Sequence, residues 1–196
     1  MACINEYQDL RQKDSFGRVV EQAKTGDTAA FQRLYGFYVR RLLSFAHRML
    51  NNRTEAEEVV QEAFILVFRK IGTLKENDKF ESWVFRVTRN LIYLRYRRRP
   101  SQLVSLETDE ELKEELEALE EPQASPEEKL LAMEKHKAAR RAILSLPEKM
   151  REAFLLSVFQ NFPYQQIAEI TGKSVAAVKS DIHRARMLVR EHIRSY

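Results

Sequence analysis

Lys173, Ser174, Lys179, Ser180, His183, Arg184 and Arg186 crowd into one stretch near the end of the sequence, and the only acid among them is Asp181. Side chains of these types bind rather than react: Lys and Arg neutralise phosphate, while Ser, His and Arg reach base edges. A second group lies upstream, where Arg86, Arg89, Arg95, Arg97, Arg98 and Arg99 run with no acid between the first and the last, interleaved with Trp83, Phe85, Tyr93 and Tyr96. Aromatic rings stack on unpaired bases and guanidinium groups hold the backbone, so this combination suits single-stranded nucleic acid better than a closed duplex. Core aromatics with a solvated arginine tail would account for Trp83 well and for the arginine run poorly.

No reaction centre assembles. His47, His136, His183 and His192 are scattered, the single cysteine, Cys3, is near one end, and no phosphate-binding glycine loop occurs. Neither catalysis, a metal site nor a cofactor is therefore expected. A lone cysteine forms no internal disulfide, which fits a reducing cytoplasm. The first twenty residues carry Glu6, Asp9, Arg11, Lys13 and Asp14 without a long apolar run, so neither a signal peptide nor a membrane span is expected. With 33 Lys and Arg against 29 Asp and Glu the net charge is only +4, so placement of charge matters more than its sum.

The elements that position these groups read as helices. Five Gly and five Pro in 196 residues, with 44% hydrophobic content, argue for an all-α chain of two small domains. Asp27 is placed to cap a long helix whose Phe31, Leu34, Tyr35, Tyr38, Leu42, Phe45 and Met49 recur at helical spacing. Thr54 to Glu57 reads as a capping box opening a helix with Val59, Val60, Ala63, Phe64, Val67, Phe68 and Ile71 inside. After Gly72 a polar loop, Leu74-Lys-Glu-Asn-Asp-Lys79, leads into a third stripe of Phe80, Trp83, Val84, Val87, Leu91 and Leu94. Three such helices make one bundle over residues 26–100, with residues 1–25 as an N-terminal extension.

Glu107 to Glu121 then holds nine acids and one Lys, and it is bounded by prolines, so residues 101–126 read as a flexible acidic linker. Ser125 with Pro126 opens a second bundle over 127–196. Within it, Ala168 stands where two helices must cross closely, Gly172 where a turn needs positive φ, and Val178 where the second helix buries against the first. That is helix-turn-helix spacing. Ser174 is placed to cap the second helix, whose inner stripe is Val175, Val178, Ile182, Ala185 and Val189. Lys173, Ala176, Ala177, Ser180, His183 and Arg184 then face outward, with Lys179 and Arg186 at the flanks; small residues there let a helix lie deep in a major groove. An ordinary helical hairpin with a solvated basic face meets the same spacing.

Together these features resemble an extracytoplasmic-function (ECF) sigma factor of bacterial RNA polymerase. Glu55-Ala-Glu-Glu-Val-Val-Gln-Glu-Ala-Phe64 is similar to the family's acidic Gln-Glu motif, and Phe80-Glu-Ser-Trp-Val-Phe-Arg-Val-Thr-Arg-Asn90 to its promoter-melting helix. Leu146-Pro-Glu-Lys-Met-Arg-Glu-Ala-Phe-Leu155 with the helix-turn-helix resembles its C-terminal domain. The resemblance implies a promoter-specificity subunit with no catalytic role, whose partners are core RNA polymerase, promoter DNA and an anti-sigma factor. It implies core docking by Glu57, Glu58, Gln61 and Glu62; a solvated acidic helix face is the alternative. It implies -10 recognition and melting by Lys75, Asn77, Asp78, Lys79, Arg86, Arg89, Asn90, Tyr93 and Arg97, with the 74–79 loop capturing an extruded base. It implies -35 reading by Lys173, Ser174, Ala177, Lys179, Ser180, Asp181, His183, Arg184 and Arg186. The acidic linker would thread the polymerase's RNA path as a nucleic-acid mimic.

The sequence departs from the family pattern at Glu76, where Gly is frequent, at Leu94, where Asp or Asn is usual, and at Asp181, which replaces a common Arg. An acid at 181 would accept a hydrogen bond from a cytosine amino group or orient Arg184. The competing expectation is a two-domain helix-turn-helix regulator that binds duplex DNA without polymerase; it leaves the arginine-aromatic helix and the acidic linker without a task.

Overall fold

The computed structural model describes residues 13–98 and 126–194. The expected linker, but for Pro126, and Cys3 lie outside the described residues. The described residues form eight α-helices and two 3-10 turns: α1 Lys13–Lys24, α2 Thr28–Leu50, α3 Arg53–Lys70, the turns Ile71–Thr73 and Asn77–Lys79, α4 Phe80–Arg98, α5 Pro126–Leu144, α6 Glu148–Val158, α7 Tyr164–Thr171 and α8 Val175–Arg194. No strand occurs among them.

Asp27 caps α2 as its position predicts, accepting from the amides of Ala29 and Ala30 at 2.8 and 3.1 Å. The second cap differs. Asn52 rather than Thr54 closes the start of α3, its side chain accepting from the Glu55 amide at 2.9 Å, and Asn51 ends α2 in the left-handed region at φ 53°. A single Asn-Asn step thus turns one helix into the next, so the helix begins at Arg53, ahead of the box read from the sequence.

Residues 13–24, inside the stretch read as an extension, form an amphipathic helix. Val19, Val20 and Ala23 are buried, and Phe16 packs edge-on to Tyr38 and Phe80 with centroids 6.3 and 6.1 Å apart. Helices α1 to α4 form the first bundle and α5 to α8 the second. The two also pack on each other, α4 against α7 and α2 against α6. Phe85, read from the sequence as part of a base-stacking face, is fully buried at this seam, 5.8 Å from Phe45 and 4.8 Å from Phe162. Phe68, read as a core residue, is instead 58% exposed, and so is much of Tyr35.

Candidate nucleic-acid interface

The helix-turn-helix forms as the spacing predicts. Gly172 takes φ +71° and donates its amide to the Ala168 carbonyl, ending α7, and Ser174 Oγ accepts from the Ala177 amide at 3.2 Å, opening α8. Val178, Ile182 and Ala185 are buried, which leaves Ala176, Ala177, Lys179, Ser180, His183, Arg184 and Arg186 exposed on the outer side. Lys179 lies 5.9 Å from the Tyr164 ring centroid, where the π face holds its ammonium near the start of α7. Asp181 has a partner that helical periodicity alone did not indicate: its Oδ2 accepts from Lys173 Nζ at 2.8 Å across the turn. Lys173 also donates to the Lys149 carbonyl at 3.1 Å, so its ammonium is anchored twice.

The upstream group splits into two. Asn77 serves the bundle, donating to the Gly17 carbonyl at 3.1 Å and to Glu21 at 2.9 Å while accepting from Lys24 at 3.2 Å. The Asn77 bond, and then one that Lys24 donates at 3.0 Å, hold the Glu21 carboxyl below its ordinary range. Tyr96 donates its hydroxyl to the Met49 carbonyl, tying α4 to the end of α2. Lys75, Asp78, Arg86, Asn90 and Arg97 are exposed. Lys79, Arg89 and Tyr93 are met by acids of the second bundle. Lys79 Nζ lies 2.6 Å from Glu169, Arg89 Nε 2.5 Å from Glu152, and the Tyr93 hydroxyl donates to Glu152 at 3.0 Å. Burial and then the Glu152 charge push the Tyr93 phenol far above its usual range, and the Glu169 hydrogen bond raises Lys79.

Glu152 is fully buried. Burial drives its carboxyl upward, against the opposing pull of Arg89 and Tyr93. Further links run along the same seam. Arg41 pairs with Glu81 and donates to Gln160 at 3.2 Å, and Gln166 donates to Glu81 at 3.1 Å. Arg140 donates twice to Asn51, and Arg151 caps the end of α2 at the Met49 carbonyl, 3.0 Å away. Beside the seam a cleft of about 670 Å³ is lined by Arg86, Arg89, Asn90, Glu169 and Lys173 among others, so cations of both predicted nucleic-acid faces converge there.

On α3, Glu57, Glu58 and Gln61 are exposed and Glu62 half-buried. Arg95 of α4 sits 3.4 Å from Glu58 and 3.5 Å from Glu62, fixing the spacing of the acids. Ile65 and Phe68, exposed by 53% and 58%, lie further along the same helix, and the Phe68 ring is 5.0 Å from that of Phe31. Residue 65 falls four places after Gln61, and residue 68 three places after residue 65, a register in which they extend the acidic face as readily as the core stripe.

Sequence and fold comparisons decide the family. Residues 34–101 match the model for "Sigma-70 region 2", and residues 136–189 that for "Sigma-70, region 4". The chain is 31% identical over 178 residues to the ECF RNA polymerase sigma factor SigW of Bacillus subtilis, covering 89% of this chain and 95% of that protein. It belongs to the ECF sigma factors. Among solved structures, CnrH in complex with the cytosolic domain of CnrY shares the fold at a TM-score of 0.68 and 22% identity, over 92% of this chain and 97% of CnrH. The sigma factor RpoE, in complex with the anti-sigma factor NepR from Bartonella quintana, does so at 0.62 and 20%, over 84% and 96%. This chain is accordingly an RNA polymerase sigma factor, and a regulator working without polymerase is not favoured. Among the described residues of this sigma factor no cluster could hold a metal ion, and no helix is long and apolar enough to cross a membrane.

Proposed function

We propose that this sigma factor acts in the cytoplasm, without an enzymatic step of its own, by directing core polymerase to promoters through two separate DNA faces. Residues 26–100 form the unit that docks on polymerase and recognises and melts the -10 element; residues 127–196 read the -35 element, and residues 101–126 link them. The observation that best supports this division is the outer side of α8, where small residues at 176 and 177 stand beside Ser180, His183 and Arg184, all exposed. A helix with that face enters a major groove without clash and offers donors to base edges. Ser174, Lys179 and Arg186 serve phosphates at its borders, where Asp181 holds and neutralises Lys173.

In the first domain, Arg86, Arg89, Asn90, Tyr93 and Arg97 are the strand-binding face of α4, with Lys75, Asp78 and Lys79 at the mouth of the capture loop. Asn77 shapes that loop through its bonds to α1. Glu57, Glu58, Gln61 and Glu62 dock on polymerase, and the exposed Ile65 and Phe68 supply the apolar part of the same surface, since charge gives specificity and apolar area gives affinity. An anti-sigma factor, such as the one named in the RpoE complex, is the expected regulator.

Run-off transcription by core polymerase with and without the chain, on a promoter library, tests the function and gives the specificity together. Pull-down with core polymerase tests the docking surface. Glu58→Lys with Glu62→Lys should abolish capture while leaving the fold intact, because both acids lie outside the buried stripe of α3, at side chains 52% and 45% exposed. Unchanged capture by the double variant would remove α3 from the docking role.

A further inference from the structure

Helix α1 stands outside both nucleic-acid faces, yet one of its sides is committed to the 74–79 loop. Gly17, Glu21 and Lys24 are spaced by four and three places, which puts them on one face of the helix, and all of them meet Asn77. A carboxamide offers two N–H donors and a carbonyl acceptor. Asn77 directs both donors at α1, to the Gly17 carbonyl at 3.1 Å and to Glu21 Oε2 at 2.9 Å, and its Oδ1 accepts from Lys24 Nζ at 3.2 Å. Lys24 also donates to Glu21 Oε2 at 3.0 Å, which closes a ring of three side chains. The ring stands on a rigid base. Val19, Val20 and Ala23 are buried on another side of α1, and Phe16 packs 6.1 Å from Phe80, the first residue of α4 after the loop.

The loop has little regular structure of its own to hold it. It joins the turn Ile71–Thr73 to the turn Asn77–Lys79, and Glu76, at the cap of the second, makes no side-chain cap bond. Its shape is imposed through Asn77, while Lys75, Glu76 and Asp78 beside it are exposed. We propose that α1 is a positioning element for base recognition at the -10 element, with Glu21 and Lys24 holding the capture loop through Asn77. Asn77 then reads no base, because both of its donors are engaged within the protein. A pocket discriminates between bases only while its walls keep their places, since a displaced group makes the same poor contact with the right base as with the wrong one. Breaking the ring leaves Lys75 and Asp78 in the loop but no longer at a fixed spacing, so selectivity falls while the charge of the loop is unchanged. The proposal rests on the reading of residues 74–79 as a capture loop given above.

The test is transcription by core polymerase carrying the full chain, from a library randomised over the -10 element with the -35 element held constant. Glu21→Ala with Lys24→Ala breaks the ring without changing net charge. Glu21→Gln with Lys24→Gln keeps an acceptor and a donor in the same places, and Gln22→Ala, exposed on the same helix, is the control. The Ala pair should reduce the preference for the best over the worst base at one position of the element by about tenfold, the scale that a lost hydrogen bond sets. The Gln pair should retain most of that preference, and the control should match wild type. Damage to the fold would lower transcription from all sequences alike and would not single out one position. A uniform loss, or an unchanged preference, therefore overturns the positioning role. Lys75→Ala with Asp78→Ala separates that failure from failure of the underlying reading. If these loop substitutions shift the preference and the α1 pair does not, the capture loop stands and α1 is only structural; if neither shifts it, the capture reading falls and the proposal with it. If the Ala pair does not fold, Glu21→Ala alone, at a side chain 56% exposed, carries the test with a smaller loss at the same position.

Discussion

Replacing Asp181 by Ala should strengthen promoter binding at every -35 sequence alike. The side chains of Asp181 and Lys173 are 21% and 19% exposed, with Oδ2 and Nζ 2.8 Å apart, so the acid neutralises a lysine that would otherwise face phosphate. Its removal leaves Lys173 tethered only to the Lys149 carbonyl. Each added phosphate contact steepens the salt dependence of binding by about 0.9 in log-log slope, which at 0.1 M salt is about an eightfold gain relative to 1 M. The loss of the pair costs the domain only ~1 kcal/mol of stability, because neither partner is deeply buried. Holoenzyme transcription from a library randomised at the -35 element, repeated at several salt concentrations, measures both quantities. The expected result is a uniform gain, a steeper slope and an unchanged order of preference. A changed preference at one or two base pairs with an unchanged slope would show that Asp181 reads a base, the role its place in the sequence suggested, and would refute the neutralising role.

Gly172→Ala should destabilise the second domain by ~1 kcal/mol in urea unfolding, the left-handed strain being partly offset by the stiffer unfolded chain. A Cβ there meets nothing within 4 Å, so a much larger loss would mean that the turn's role is not its φ of +71°. Trp83 is half-buried 6.0 Å from the Phe80 ring, so Trp83→Ala should lower stability by ~2 kcal/mol as well as impairing promoter opening; lost opening at normal stability would make it a direct strand contact. Stability should fall as the pH rises. Burial raises the Glu152 carboxyl in the folded chain, against Arg89, Tyr93 and Lys173, so its contribution is complete below the unfolded value and is lost as the pH rises through the folded value. Urea unfolding across that range should show the loss in the wild type, and this part of the dependence should vanish in Glu152→Ala.

The helices were legible because each buries one stripe: Val178, Ile182 and Ala185 of α8 are buried as read, and so is most of the α2 stripe, with Tyr35 exposed. Helix α4 does not. It is gripped on a second side by α7, so Phe85 is as buried as Phe80, and a reading that allows one inner face per helix assigns Phe85 to the surface. Phe68 fails in the opposite sense: the stripe of α3 runs beyond the helices that cover it, and its ring leans on Phe31 with one side open. The α1 helix carries Phe16, Val19, Val20 and Ala23 at three and four, a helical signal present in the sequence but short beside the long stripe of α2. The Lys173–Asp181 pair was hidden because Lys173 precedes α8 and reaches Asp181 from the turn, at a separation of eight that is no helical neighbour relation. Glu152 was hidden for a deeper reason. Its partners are 59 and 63 residues away, and no local pattern reports contacts between domains.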